Sequence, residues 1–182
     1  MFIQTEETPN PEALKFLPGR IVMESGSAEV LSAEEAQKSP LATRLFRIDG
    51  VQSVFFGSEF ITVTKQENVD WGVLKPSVLA SIMEFYLSHE PLFSDKNEKN
   101  ESSDETQDPI VLQIKEILDT RIRPAVAMDG GDIVFDKFEE GVLYLRMQGS
   151  CSGCPSSSAT LKTGIENMMR HYIPEVEEVR AV

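Results

Sequence analysis

The sequence predicts an α+β protein of two small α/β-sandwich domains. Two observations carry the prediction. Residues 94–108, running from Ser94 to Asp108, contain no apolar side chain. Such a stretch buries nothing that offsets chain entropy, so it is expected to be an acidic, disordered linker between residues 1–93 and residues 109–182. Each flanking part also mixes strand-like and helix-like apolar patterns within fewer than a hundred residues, the layered arrangement of helices on a sheet. The expected division is a first domain over 1–93, a linker over 94–108 and a second domain over 109–182, with enough chain on either side for a small core.

The first part reads in the order β-β-α-β-β-α. A strand is expected over residues 2–8, followed by turn chemistry at Thr8-Pro9-Asn10-Pro11. A second strand is expected over 14–23, interrupted at Pro18-Gly19. Ser39-Pro40 is an N-cap followed by a first helical position, with Leu41, Leu45 and Ile48 along one face. Residues 51–56 and 60–64 are β-rich and joined by Gly57-Ser58, a hairpin signal. Asp70 opens a helix whose face carries Leu74, Val78, Ile82 and Phe85.

The second part reads α-β-β-α-β. Asp108-Pro109 repeats the cap-then-proline signal, and Val111, Ile114, Ile117 and Leu118 form a helical stripe. Arg123-Pro124 is expected to break or kink that helix, with a further short helix to Met128. Asp129-Gly130-Gly131-Asp132 turns the chain. Residues 133–138 and 142–147 pair as a hairpin, a helix follows Cys154 with Leu161, Ile165 and Met168 on its inner face, and residues 176–182 add a last strand.

Composition excludes several classes. The hydrophobic and charged fractions, 41% and 26%, are those of a globular protein. A net charge of −13 with no basic cluster argues against a nucleic-acid groove, where cations must neutralise phosphates. No apolar run is long enough to span a bilayer, so no membrane is expected. The first residues are acidic and lack an apolar core, so they do not read as a targeting peptide. The expected compartment is the cytoplasm, or the mitochondrial matrix if a transit peptide has been removed.

The only two cysteines stand in Gly149-Ser150-Cys151-Ser152-Gly153-Cys154-Pro155-Ser156-Ser157, between the last strand of the hairpin and the long helix. Two thiols three positions apart at a helix start are placed to become thiolates, the form that binds metal or attacks a disulfide. A redox dithiol shares this placement, although no aromatic residue precedes Cys151 and a hairpin leads in rather than a βαβ unit. A structural zinc needs four ligands. His89 lies across the linker, and His171 is seventeen residues along the helix, roughly 25 Å away at about 1.5 Å rise per residue. An iron–sulfur cluster takes four thiolates, so two chains must share one. The residues alone leave the redox and shared-metal readings open.

The surroundings of the pair add a resemblance. Met128-Asp129-Gly130-Gly131-Asp132-Ile133, the hairpin, the cysteine stretch and the following Thr160-Leu161-Lys162 and Gly164-Ile165-Glu166 closely resemble the NifU-like C-terminal domain. Phe2-Ile3-Gln4-Thr5-Glu6, Thr8-Pro9-Asn10-Pro11 and Leu14-Lys15-Phe16 resemble the Nfu N-terminal domain. The resemblance covers nearly the whole chain except the linker. It implies an iron–sulfur carrier rather than an enzyme, in which Cys151 and Cys154 of two protomers hold a labile 4Fe–4S cluster. The implied partners are a second copy, an upstream cluster donor and apo-proteins that accept the cluster. A dithiol oxidoreductase is the alternative. The ligands are expected on a short exposed turn, and Cys-to-Ser replacement is expected to leave the fold intact.

Other chemistry-bearing residues have plainer readings. His89 and His171 are expected as exposed residues at helix ends. Met168-Met169 is read as packing, Asp129 and Asp132 as turn and cap, and Trp71 as a core anchor.

Overall fold

The computed structural model describes residues 1–94, 108–152 and 155–182, with the side chains of 155–158 left out. The expected linker lies largely outside the described residues. The chain divides into two compact units, Met1–Asn100 and Glu101–Val182. Both mix helix and sheet, as the sequence predicts.

The first unit is built on an antiparallel sheet of order β1-β2-β5-β4-β3. Its strands are β1 (Gln4–Glu7), β2 (Ala13–Leu17), β3 (Ala28–Val30), β4 (Val51–Phe56) and β5 (Ile61–Lys65). Leu14, Phe16, Val54, Phe56, Ile61 and Val63 alternate onto one face. There they meet helices α1 (Pro40–Phe46) and α2 (Trp71–Ser88). Both helices start where their caps predict. The Ser39 hydroxyl accepts the Ala42 N–H at 3.2 Å, and Asp70 accepts the Gly72 N–H at 2.6 Å. Leu74, Val78, Ile82 and Phe85 form the buried stripe of α2. Pro76 lies inside α2 without ending it. Trp71 packs on the core edge, and its indole N–H donates to the Pro11 carbonyl at 3.2 Å.

Strand β2 stops at Leu17, short of the expected run over 14–23, because Pro18-Gly19 ends the ladder there rather than interrupting it. Strand β3 is unexpected from the sequence. It is three residues long with one buried apolar side chain, Val30, so it carries no readable periodicity. The sheet also buries two cations by pairing them. Lys15 Nζ sits 3.3 Å from Glu6 and 4.9 Å from the Phe60 ring centre, and Lys65 is paired with Glu12.

In the second unit, α3 (Pro109–Ile117) begins at an Asp108 cap that accepts the Ile110 N–H at 2.9 Å. It does not break at Arg123-Pro124. A π-helical turn, Leu118–Ile122, carries it into α4 (Arg123–Met128). Pro124 has no N–H for the carbonyl four residues back, and its ring crowds that carbonyl; the wider turn before it relieves both.

The strands β6 (Gly131–Glu139) and β7 (Val142–Gly149) pair antiparallel across a two-residue turn, Glu140-Gly141, with φ of 51° and 78°. Helix α5 (Pro155–Tyr172) then crosses to β8 (Glu178–Ala181), which lies parallel to β7. Ile133, Leu143, Leu145 and Val179 face the core with Ile114, Leu118 and Ile165. The inner stripe of α5 ends on Met169, fully buried, and not on the expected Met168, which is 36% exposed. The buried face centres on Ile165 and Met169, with Lys162 and Glu166 partly covered beside them, so it lies to the side of the helix away from Met168.

Candidate functional site

The site is the open end of the β6–β7 hairpin. The register pairs Gly131 with Gly149, so the first residue of β6 lies beside the last residue of β7. Two turns therefore meet there, residues 129–131 leading into β6 and residues 149–152 leading out of β7.

Gly149 has φ of 68°, a left-handed conformation that glycine adopts without a Cβ penalty. It bends the chain back across the strand ends. The Ser150 N–H then donates to the Gly130 carbonyl at 3.2 Å, and the Ser150 hydroxyl donates to the Asp129 carbonyl. The Ser152 N–H closes the turn on the Gly149 carbonyl at 3.1 Å. Ser150 is itself buried, so both of its donors are satisfied by the opposing turn.

With Ser150 latched in this way, the Cys151 side chain points inward. Cys151 is 6% exposed and belongs to the core of the second unit. This corrects the expectation of a ligand on an exposed turn. The thiol rests directly on the backbone of Gly131. A Cβ at that position would lie 2.7 Å from Cys151 Sγ and 2.7 Å from the Gln148 carbonyl oxygen, so only glycine fits. Burial in the core shields the thiol from attack. The arrangement stores one reactive group against a glycine backbone at the mouth of a hairpin.

Cys154, the second predicted ligand, lies outside the described residues together with Gly153. In sequence it directly precedes Pro155, the first residue of α5. His89 and His171 are both exposed, and His171 stacks edge-on against Tyr172. Among the described residues, no group of three or more His, Cys, Asp or Glu side chains could hold a metal ion.

Asp132 departs most from its sequence reading as a turn and cap residue. It is buried, and Arg123 clamps it with two hydrogen bonds, Nε to Oδ1 and Nη2 to Oδ2, each 2.8 Å. Arg123 Nη1 donates at 2.9 Å to Asp119 Oδ1, one turn earlier. The hydrogen bonds it donates to Asp132 raise the pKa of Arg123 from its ordinary value; burial opposes this, and Asp119 adds to the rise. The guanidinium therefore stays charged throughout the ordinary pH range, and the pair does not act as a switch.

The fold and the site together define a class: a two-unit α+β protein in which one unit carries a Cys-x-x-Cys junction and the other carries no thiol. Comparison with known proteins gives that class its family. Residues 3–89 match the model described as "Scaffold protein Nfu/NifU N terminal", and residues 114–180 match the NifU-like domain. The human "NFU1 iron-sulfur cluster scaffold homolog, mitochondrial" is 53% identical over 183 residues, covering 100% of this chain and 72% of its own length. The Arabidopsis thaliana "NifU-like protein 4, mitochondrial" is 54% identical over 184 residues, covering 98% of this chain and 65% of its own. A solution structure of a NifU-like protein from Saccharomyces cerevisiae aligns with a TM-score of 0.48 at 29% identity, over 53% of this chain and 87% of that one. The chain belongs to the Nfu/NifU family of scaffold proteins. It spans roughly two thirds of the length of the Arabidopsis relative. No helix among the described residues is long and apolar enough to cross a membrane.

Proposed function

We propose that this chain is an iron–sulfur carrier and not an enzyme. Its cargo is a labile 4Fe–4S cluster, bound by Cys151 and Cys154 of two protomers and passed to apo-proteins after receipt from an upstream donor. The scaffold role named for the relatives supports the general reading. The observation that carries the site assignment is the position of Cys151, held at the mouth of the β6–β7 hairpin against Gly131, three residues from the only other thiol.

Ligand counting supports the shared site. A 4Fe–4S cluster presents four irons to four thiolates. One chain has two cysteines, so a second copy is the nearest source of two more, related by a two-fold axis through the cluster. The burial of Cys151 suits transfer. The 149–152 turn must open to present the thiol, and it can close again once an acceptor takes the cluster, which favours release over permanent tenure. Residues 109–182 hold the site in this reading. Residues 1–93 lack cysteine and serve to present a surface to donor or acceptor. The chemistry needs a reducing compartment that keeps both thiols free. The relatives are named as mitochondrial, which lends no support to the expected cytoplasm and fits the matrix reading instead.

Anaerobic reconstitution of the full chain with iron and sulfide tests this function. Broad visible absorption with about four irons per cluster is expected, lost when either cysteine is replaced by Ser. A colourless protein that instead reduces disulfides with turnover would replace the carrier by the dithiol oxidoreductase.

A further inference from the structure

We propose that Arg123 is a positioning residue for the Cys151 thiol, acting through Asp132 and the 129–131 turn. The chain of contacts is continuous. The guanidinium holds both carboxylate oxygens of Asp132 at 2.8 Å. Asp132 Oδ1 also accepts the Ile133 N–H at 2.8 Å, so its side chain is fixed to its own strand as well. The next residue back, Gly131, supports Cys151 Sγ, and the Gly130 and Asp129 carbonyls receive the N–H and hydroxyl of Ser150. Three consecutive residues of the turn thus touch the cysteine loop, and the residue that follows them is the one Arg123 grips.

The helix is shaped for this grip. The π-helical turn at Leu118–Ile122 lies immediately before Arg123, and Asp119 within it anchors the remaining guanidinium nitrogen at 2.9 Å. Single π-helical turns inside α-helices are frequent at functional sites. A planar fork is required, since Lys has one nitrogen and cannot span both oxygens of Asp132 together with Asp119. The clamp therefore sets how often the turn at 129–131 lifts off and uncovers the thiol. Its bearing on cargo rests on the carrier reading above, because loading and release both need Cys151 uncovered.

The test uses the reduced apo chain, full length, with Cys154→Ser so that Cys151 is the only thiol. Iodoacetamide is the probe, and mass spectrometry reads the alkylation rate. Arg123→Lys and Asp132→Asn are each expected to speed alkylation roughly tenfold, the scale of losing one charge-assisted hydrogen-bond pair from a local opening. The double variant should be no faster than the faster single one, since both break the same link. Amide exchange in β8 should stay at the parent rate. Asp119→Asn leaves the Asp132 pair intact and should give a smaller rise, about threefold, which keeps the proposal open to test should Arg123→Lys fold poorly. Alkylation of the single variants within about twofold of the parent overturns the assignment, as does a rise matched by β8 exchange, which marks opening of the whole unit. The assay contains no cluster, so its failure leaves the carrier reading standing, and a failed reconstitution leaves this result standing.

Discussion

The two units solve the same packing problem with different materials. The first fills its core with six-carbon rings and branched chains, among them Phe16, Phe56, Leu41, Ile61 and Ile82, all with little or no exposure. Its buried cations, Lys15 and Lys65, are neutralised by Glu6 and Glu12 and serve only their own sheet. The second places a thiol in its core and rests it on a glycine. Its half-buried charge pair joins Arg123 to Asp132, the residue next to that glycine. The difference teaches where function sits. The first core holds only apolar side chains, whereas the second rests a thiol directly on a glycine backbone at the mouth of a hairpin.

This contrast can be broken most strongly from the first unit. Phe56 is fully buried and meets Phe93 edge-on at 6.0 Å between ring centres. Phe56→Ala should destabilise that unit by about 3–5 kcal/mol, read as a lowered urea midpoint. Cluster content per chain should stay normal, and a parallel loss of cluster would show that the first unit contributes to the site. Gly131→Ala comes next. Its added methyl would meet a sulfur and a carbonyl oxygen, so it should cost the second unit about 1–3 kcal/mol and push Cys151 out of place. Cluster content should then fall even under conditions where circular dichroism shows a folded chain. A variant that loads normally would mean that the glycine contact is incidental. Cys151→Ser exchanges a buried thiol for a hydroxyl and, against the first expectation from sequence, should lower stability by about 1–3 kcal/mol as well as remove a ligand; an unchanged urea midpoint would show that the thiol is less buried in solution. The smallest effect is expected at Gly164, inside α5, where a Cβ would meet open space. Gly164→Ala should raise stability by about 0.5–1 kcal/mol and leave Cys151 alkylation unchanged.

Much of this architecture is legible in the sequence because its signals are local. Ser39, Asp70 and Asp108 announce helix starts through side chains that reach only two or three residues ahead. The two hairpins show as β-rich runs around glycine turns. What is hidden depends on distant partners. Strand β3 exists because β4 offers it an edge, and its own residues give no pattern. The clamp joins Arg123 to Asp132 across nine positions, with no periodicity linking a helix residue to a strand residue. Burial of Cys151 is hidden for the same reason. The alternation of Leu143, Leu145 and Met147 stops where Gly149 turns the chain, and the thiol is covered by the 129–131 turn, some twenty positions earlier. The glycine-rich composition around the cysteines suggests an exposed turn.

The central claim is that two chains meet around one cluster held by Cys151 and Cys154. Sedimentation with iron and sulfide analysis, run on apo and reconstituted protein without small thiols, tests it most directly. The account predicts a largely monomeric apo form and a holo dimer carrying about four irons per two chains. A holo monomer carrying a complete cluster would contradict it.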